Sequence, residues 1–310
     1  MVRKPTAADR RREAYTLVEL LVVLGIIAFL TGLVVVLWPG FASSTQSTSN
    51  ADKAQAMLLI AKQKAIRDRV ATGVRLIPDP NDPTGMRVKQ LIYIQQPEPY
   101  TPPIANGTVV GKLTAFSPAD RRVTFTNVDF LGGLGANDGL VQPGDYLEIN
   151  GGGSVHLITS VVSTSAASST VLVINDQIPT PNATTNWRII RAPRPVSGEE
   201  PLDLSGDVII DLALSRNVPI RTVPPSSGTG TPLVYREILF APSGSVMGHG
   251  TQGNDKILLY VRDSSRKTVT DGEPVLVGIQ IGTGFIGGYP VDVSSGDYYT
   301  NTRDPHASGL

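Results

Sequence analysis

The sequence predicts an α+β fold: a long N-terminal transmembrane and amphipathic helix, then an antiparallel β-sheet head with a small all-β domain inserted into it. Three observations predict it. The 22 positions from Leu17 to Trp38 carry a single charge, Glu19. From Ala51 a narrow apolar stripe returns at helical spacing. Beyond Gly73 the chain breaks into short alternating runs between turns, in a composition with 31 glycines, 24 prolines and 17% charged residues.

At 1.5 Å per residue the apolar span reaches roughly 33 Å, enough to cross a hydrocarbon core of about 30 Å. A carboxylate in such a span costs about 2.5–3.5 kcal/mol at the helix centre and less near an interface, so Glu19 calls for a cation. Residues 1–14 hold Arg3, Lys4, Arg10, Arg11 and Arg12 against Asp9 and Glu13, a net +3 that the remainder of the chain balances. Basic residues beside a first span keep the N-terminus in the cytoplasm and send the body across. The span runs on into Pro39-Gly40 with no Ala-x-Ala pattern, unlike a cleaved secretory signal. These features alone describe a signal anchor.

The residues taken together say more. Arg10-Arg11-Arg12-Glu13-Ala14, followed by Tyr15-Thr16-Leu17-Val18-Glu19-Leu20-Leu21, resembles the class III signal of type IV prepilins and type II secretion pseudopilins. That pattern is a basic leader ending in Gly or Ala, an aromatic first mature residue, and Glu as the fifth. Ala14 stands where Gly is commoner and Tyr15 where Phe is commoner. The resemblance implies cleavage between Ala14 and Tyr15 by prepilin peptidase, N-methylation of Tyr15, and Glu19 as the assembly residue. In a filament, Glu19 would meet the Tyr15 amine of a neighbouring subunit, the cation that a carboxylate in lipid needs.

Along the chain, Pro39-Gly40 is expected to interrupt the helix. It resumes near Ala51 with Ala54, Leu58, Ala61, Ala65 and the later Val70 as the apolar stripe, Met57, Ile60 and Ile66 beside it, Asn50 as N-cap and Gly73 as C-terminal stop. Val74–Ile77 and Val88–Ile94 read as strands. A similar hairpin follows the long helix in H-type minor pseudopilins and their FimT-like relatives. The likeness extends to Val208–Ser215, to Ile238–Val246 with its F-x-P-x-G turn, and to 256–262 and 274–284.

Between them, 97–195 is bounded by Pro97-Glu98-Pro99 with Pro102-Pro103, and by Pro193-Arg194-Pro195. Its alternating runs at 109–116, 122–128, 146–149, 155–162, 171–174 and 187–190 predict an inserted β-barrel or sandwich. The expected organisation is a leader at 1–14, a transmembrane helix at 15–38, an amphipathic helix at 39–73, a β head at 74–96 and 196–287, the insertion at 97–195, and a flexible tail at 288–310.

Composition excludes several chemistries. With no cysteine there are no disulfides, thiolate metal sites or Cys nucleophiles. Zero net charge gives no basic field for nucleic acid. His156, His249 and His306 stand apart, without a second ligand at metal or catalytic spacing. Gly282–Gly287 spells G-x-G-x-x-G, but Gly288-Tyr289-Pro290 is a poor helix start, so a turn is expected rather than a dinucleotide site. Ala241–Ser245 lacks a nucleophile-elbow frame. Asp292 and Asp297 read as solvated tail residues rather than calcium ligands, and Trp187 as a core residue rather than a sugar platform beside Arg188 and Arg191. Asn106 and Asn182 head weak glycosylation sequons.

The expectation is a non-enzymatic minor pseudopilin of a type II secretion system, with no cofactor and no metal. It sits in the inner membrane with its N-terminus cytoplasmic and its head periplasmic, and enters a filament after processing. Its expected partners are prepilin peptidase, other pilin-like subunits, an inner-membrane assembly platform and the lipid bilayer. A minor pilin of a type IV pilus and a signal-anchored periplasmic β-domain binding protein remain open.

Overall fold

The computed structural model describes residues 17–131, 139–163, 169–178, 183–223, 225, 230–247, 255–294 and 296–303, with side chains throughout except at 33–45, 163 and 169. Helix α1 runs from Leu17 to Asp68, 52 residues. The interruption expected at Pro39-Gly40 does not occur. A proline removes one i→i−4 bond, and a helix can continue past that gap. Asn50 therefore caps nothing. It lies mid-helix and buried, donating Nδ2 to the Gln46 carbonyl at 2.8 Å. The helix stops before Gly73, where Arg69 takes a left-handed φ of 55°.

Gly73 instead belongs to strand β1 (Thr72–Pro78), which pairs antiparallel with β2 (Arg87–Gln95). A Cβ at Gly73 would fall 2.0 Å from the Ile238 carbonyl oxygen, so only glycine permits this approach. The chain then forms a small hairpin of β3 (Ile104–Ala105) and β4 (Thr108–Val109). Six strands follow: β5 (Lys112–Ser117), β6 (Arg122–Thr126), β7 (Tyr146–Ile149), β8 (Val155–Ser163), β9 (Ser169–Ile174) and β10 (Trp187–Ile190). Next come β11 (Arg194–Pro195), β12 (Leu202–Asp203), β13 (Val208–Arg216), β14 (Ile220–Val223) and β15 (Leu233–Phe240). The last are β16 (Val246–Met247), β17 (Lys256–Asp263), β18 (Val275–Gln280) and β19 (Ile286–Pro290).

The large sheet has the order β14-β15-β1-β2-β13-β17-β18-β19, with β11 and β12 added to β2 and β16 to β15. Strands β1 and β2 thus lie beside strands that follow them by more than 100 residues. The buried stripe of α1, Ala51, Ala54, Met57, Leu58, Ala61 and Ala65, packs on this sheet with Ile257, Leu259, Val275 and Val277. Alanines dominate the stripe and let the helix axis come close to the strands. Ile60 and Ile66, expected beside the stripe, remain exposed.

Because side chains alternate along a strand, Leu258, Tyr260 and Leu276 face away from α1. Tyr289 and Tyr299 cover them. This corrects the flexible tail expected from 288: β19 pairs with β18, and a 3-10 turn spans Thr300–Arg303. Tyr299 donates its hydroxyl to the Leu214 carbonyl at 2.5 Å, and the Arg216 guanidinium lies 3.6 Å from its ring centre. The aromatic side chains order this stretch because they have an apolar face to cover. Residues 304–310 lie outside the described part.

The second sheet has the order β10-β7-β8-β9-β6-β5. Leu113 of β5 exchanges backbone hydrogen bonds with Thr184, just before β10, at 2.9 and 3.0 Å. The two ends of the sheet therefore meet, and it curls around its own core of Phe125, Phe130, Leu147, Leu172, Trp187 and Ile189. Phe125 and Trp187 meet edge to face at 4.9 Å.

Candidate functional site

Every residue of α1 from 17 to 32 is exposed, although all but Glu19, Gly25, Thr31 and Gly32 are apolar. Leu17, Val18, Leu20, Leu21, Val22, Val23 and Leu24 succeed one another around the helix with no side facing the head. A helix apolar all round is at rest only among other helices or lipid tails. Glu19 sits in the first turn, where a carboxylate also complements the positive end of the helix dipole. Thr31 returns its hydroxyl to the Ile27 carbonyl at 2.7 Å, so its polarity is spent within the helix.

Among the described residues no helix is long and apolar enough to cross a membrane. The described side chains of the apolar stretch cover 17–32, and positions 33–38 of the expected span fall outside them. The same holds for Ala14 and Tyr15, the expected cleavage and methylation residues. Of the sequence-derived site, the structure places Glu19 alone.

Residues 9–35 match the family model of the prokaryotic N-terminal methylation motif. The match covers the end of the basic leader with Arg10-Arg11-Arg12, the Ala14-Tyr15 junction, Glu19 and most of the apolar run. It supports a type IV pilin-like protein with a class III signal, a substrate of prepilin peptidase. No curated protein and no solved structure matches the chain.

The secondary candidates resolve individually. Trp187 is buried among Phe125, Phe130 and Tyr100, as a core residue. Gly284, inside the G-x-G-x-x-G stretch, has φ +60° in the turn joining β18 to β19. Lys62 of α1 donates Nζ to the carbonyls of Thr283 and Gly284, both at 3.0 Å, tying that turn to the helix. Asp297 accepts from the Tyr299 amide and from Arg303, and Asp292 from the Ser294 amide and hydroxyl. His156 lies 3.6 Å from Asp176. His249, His306 and Asn182 are outside the described residues. Among the described residues no group of three or more His, Asp or Glu is placed to hold a metal ion.

The seam between the two sheets is built on guanidinium groups from distant segments. Glu237, buried on β15, accepts from Arg75 Nε at 2.7 Å and from Arg221 Nε at 2.8 Å. Arg75 also reaches the Pro193 carbonyl at 3.0 Å, and its guanidinium stacks on Tyr235. On the other side, buried Asp145 accepts from the Ala192 amide at 2.7 Å, the Gln142 amide at 2.9 Å and Arg194 at 3.2 Å. Burial pushes the Asp145 carboxyl above its ordinary range despite these donors. Nothing in the sequence pairs residues 75, 145, 194, 221 and 237, because strand pairing alone brings them together.

Proposed function

We propose that this chain is a minor pilin-like subunit of a type II secretion pseudopilus. The observation that carries the reading is the apolar, wholly exposed stretch of α1 at 17–32, with Glu19 in its first turn, lying under the methylation motif. Prepilin peptidase cuts after Ala14 and methylates the new Tyr15 amine. The helix crosses the inner membrane once, with the leader in the cytoplasm and the head in the periplasm. An assembly platform lifts it into a filament, where its apolar surface exchanges lipid for neighbouring helices. Glu19 then neutralises the Tyr15 amine of an adjacent subunit and sets the axial register.

The large sheet, on which the second half of α1 is packed, forms the head. Segment 97–195 is a β module inserted into it, carried on the filament surface. The role is assembly, not catalysis.

Intact-mass and N-terminal analysis of membrane-extracted protein tests the class. The reading expects a species beginning at methylated Tyr15. An unprocessed chain beginning at Met1 transfers the assignment to a signal-anchored periplasmic binding protein. Deletion of the gene separates the two filament types: lost secretion with intact twitching supports the pseudopilus, and lost twitching assigns the chain to a type IV pilus.

A further inference from the structure

The seam between the sheets holds an open cavity of about 160 Å³ whose walls are mainly apolar, among them Tyr146, Ile190, Ile220, Leu239 and Met247. An apolar cavity of about 150 Å³ accepts a ligand the size of benzene. The cavity is not purely apolar, because Arg191, Arg221 and Glu237 also line it. Arg221 is committed to Glu237, which Arg75 also holds, and Arg194 to Asp145. Arg191 differs from these three: among the described residues it makes no ion pair, and its Nε donates to the neutral Glu98 carbonyl at 2.6 Å. Of the cavity's own charged lining, Arg191 and Arg221 face the single carboxylate of Glu237, and the charge of exposed Glu98 reaches Arg191 from the rim. Burial first, and then the neighbouring charge of Arg194, hold Arg191 below its ordinary pKa against the opposing pull of Asp145 and Glu98.

We propose that this cavity binds an apolar carboxylate, with a ring or branched side chain in the apolar pocket and its carboxylate on Arg191. The planar fork of Arg191 suits a carboxylate, and the walls suit one benzene-sized group. Two sources share that chemistry, a small free acid and the C-terminal residue of a polypeptide. The site does not rest on the filament reading, since it lies wholly in the described head and insertion.

The test uses the mature full-length protein in nanodiscs, with saturation-transfer NMR and thermal shift as readouts. The probes are 3-phenylpropionate, its amide and acetate, with a pentapeptide ending in Phe as free acid and as C-terminal amide. The expected result is saturable one-to-one binding of 3-phenylpropionate, with the amide and acetate each about tenfold weaker or worse, the cost of losing a charge-assisted pair or the apolar contact. Arg191→Gln weakens the acid about tenfold and leaves the amide unchanged, while Arg191→Lys retains part of the preference. Met247→Trp, at a partly exposed edge position, fills the pocket and removes binding without lowering the unliganded melting temperature. Binding of the peptide acid but not its amide supports the site with a polypeptide terminus as source. Binding of 3-phenylpropionate alone supports it with a small acid. Equal binding of acid and amide, undiminished binding in both Arg191→Gln and Met247→Trp, or no saturable binding overturns the proposal.

Discussion

Asn50 of α1 and Ser205, in the loop before β13, clasp each other. Asn50 Oδ1 accepts from the Ser205 amide at 2.9 Å and hydroxyl at 3.1 Å, and Asn50 Nδ2 reaches the Ser205 carbonyl at 3.3 Å. The clasp fixes the height of the helix on the sheet. It lies beside Ala51, at the start of the buried stripe of α1. Asn50→Ala removes all three bonds and leaves a polar backbone without its partner, so it should cost about 1–3 kcal/mol in denaturant unfolding. An unchanged midpoint would show that the packing of Ala51 and Ala54 alone sets the docking.

Glu237 lies between two guanidiniums, and removing it strands both. Glu237→Gln should destabilise the protein by about 3–5 kcal/mol, as expected when a buried pair loses one partner. Arg221→Met, which removes one cation and keeps the pair with Arg75, should cost less. Equal losses for the two variants would show that the network acts through packing rather than charge.

Glycine at 73 is required by a backbone contact, and glycine at 85 only by its φ of +63°. Gly73→Ala must push β1 away from β15 and should cost more than about 3 kcal/mol. Gly85→Ala meets open space and should cost about 1–2 kcal/mol. Thermal melts of the two variants side by side check the ranking.

Asp82 organises the turn between β1 and β2. Its carboxylate accepts from the Thr84 hydroxyl at 2.7 Å and from the amides of Met86 and Arg87, both at 2.9 Å. These donors, with the Thr84 hydroxyl the strongest, lower its pKa from 3.8 to about 2. A folded pKa below the unfolded value gives stability that is complete above about pH 4 and lost as pH falls through about 2. The stability gap between the wild type and Asp82→Asn should therefore close over that window. A gap independent of pH would remove the carboxylate from the account.

Glu19→Gln keeps the size of the side chain and removes its charge. The filament reading expects normal leader removal, since the junction at Ala14 is unchanged, and loss of incorporation into fibres. Fibre immunoblots and mass analysis of the same cells measure both. Undiminished incorporation would eliminate the proposed pairing with the Tyr15 amine.

The strand reading from alternation and turn chemistry placed the six main strands of 97–195 and the strands at 74–77, 88–94, 208–215 and 256–262 where the structure has them. It overlooked β11, β12 and β14, which are short or edge elements without a full alternating run. It also dismissed the stretch after 288, because Tyr289 and Tyr299 look like loop residues until the far face of β17 and β18 exists to be covered. Asn50 carries cap chemistry in either setting. Only the position of Ser205 decides that its side chain crosses the fold.

The sequence by itself determined the motif at the N-terminus, the charge on Glu19 and the positions of the main strands, since each rests on neighbours within a few residues. Only the tertiary structure decided the order of the large sheet, the ordering of 288–303, and the seam where Arg75, Asp145, Arg191 and Glu237 come together. The sheet order and the meeting of Arg75 with Glu237 depend on backbone pairing between strands more than 100 residues apart. The ordering after 288 depends on an apolar face that β17 and β18 build only once paired. No local pattern encodes which residues such pairing brings face to face.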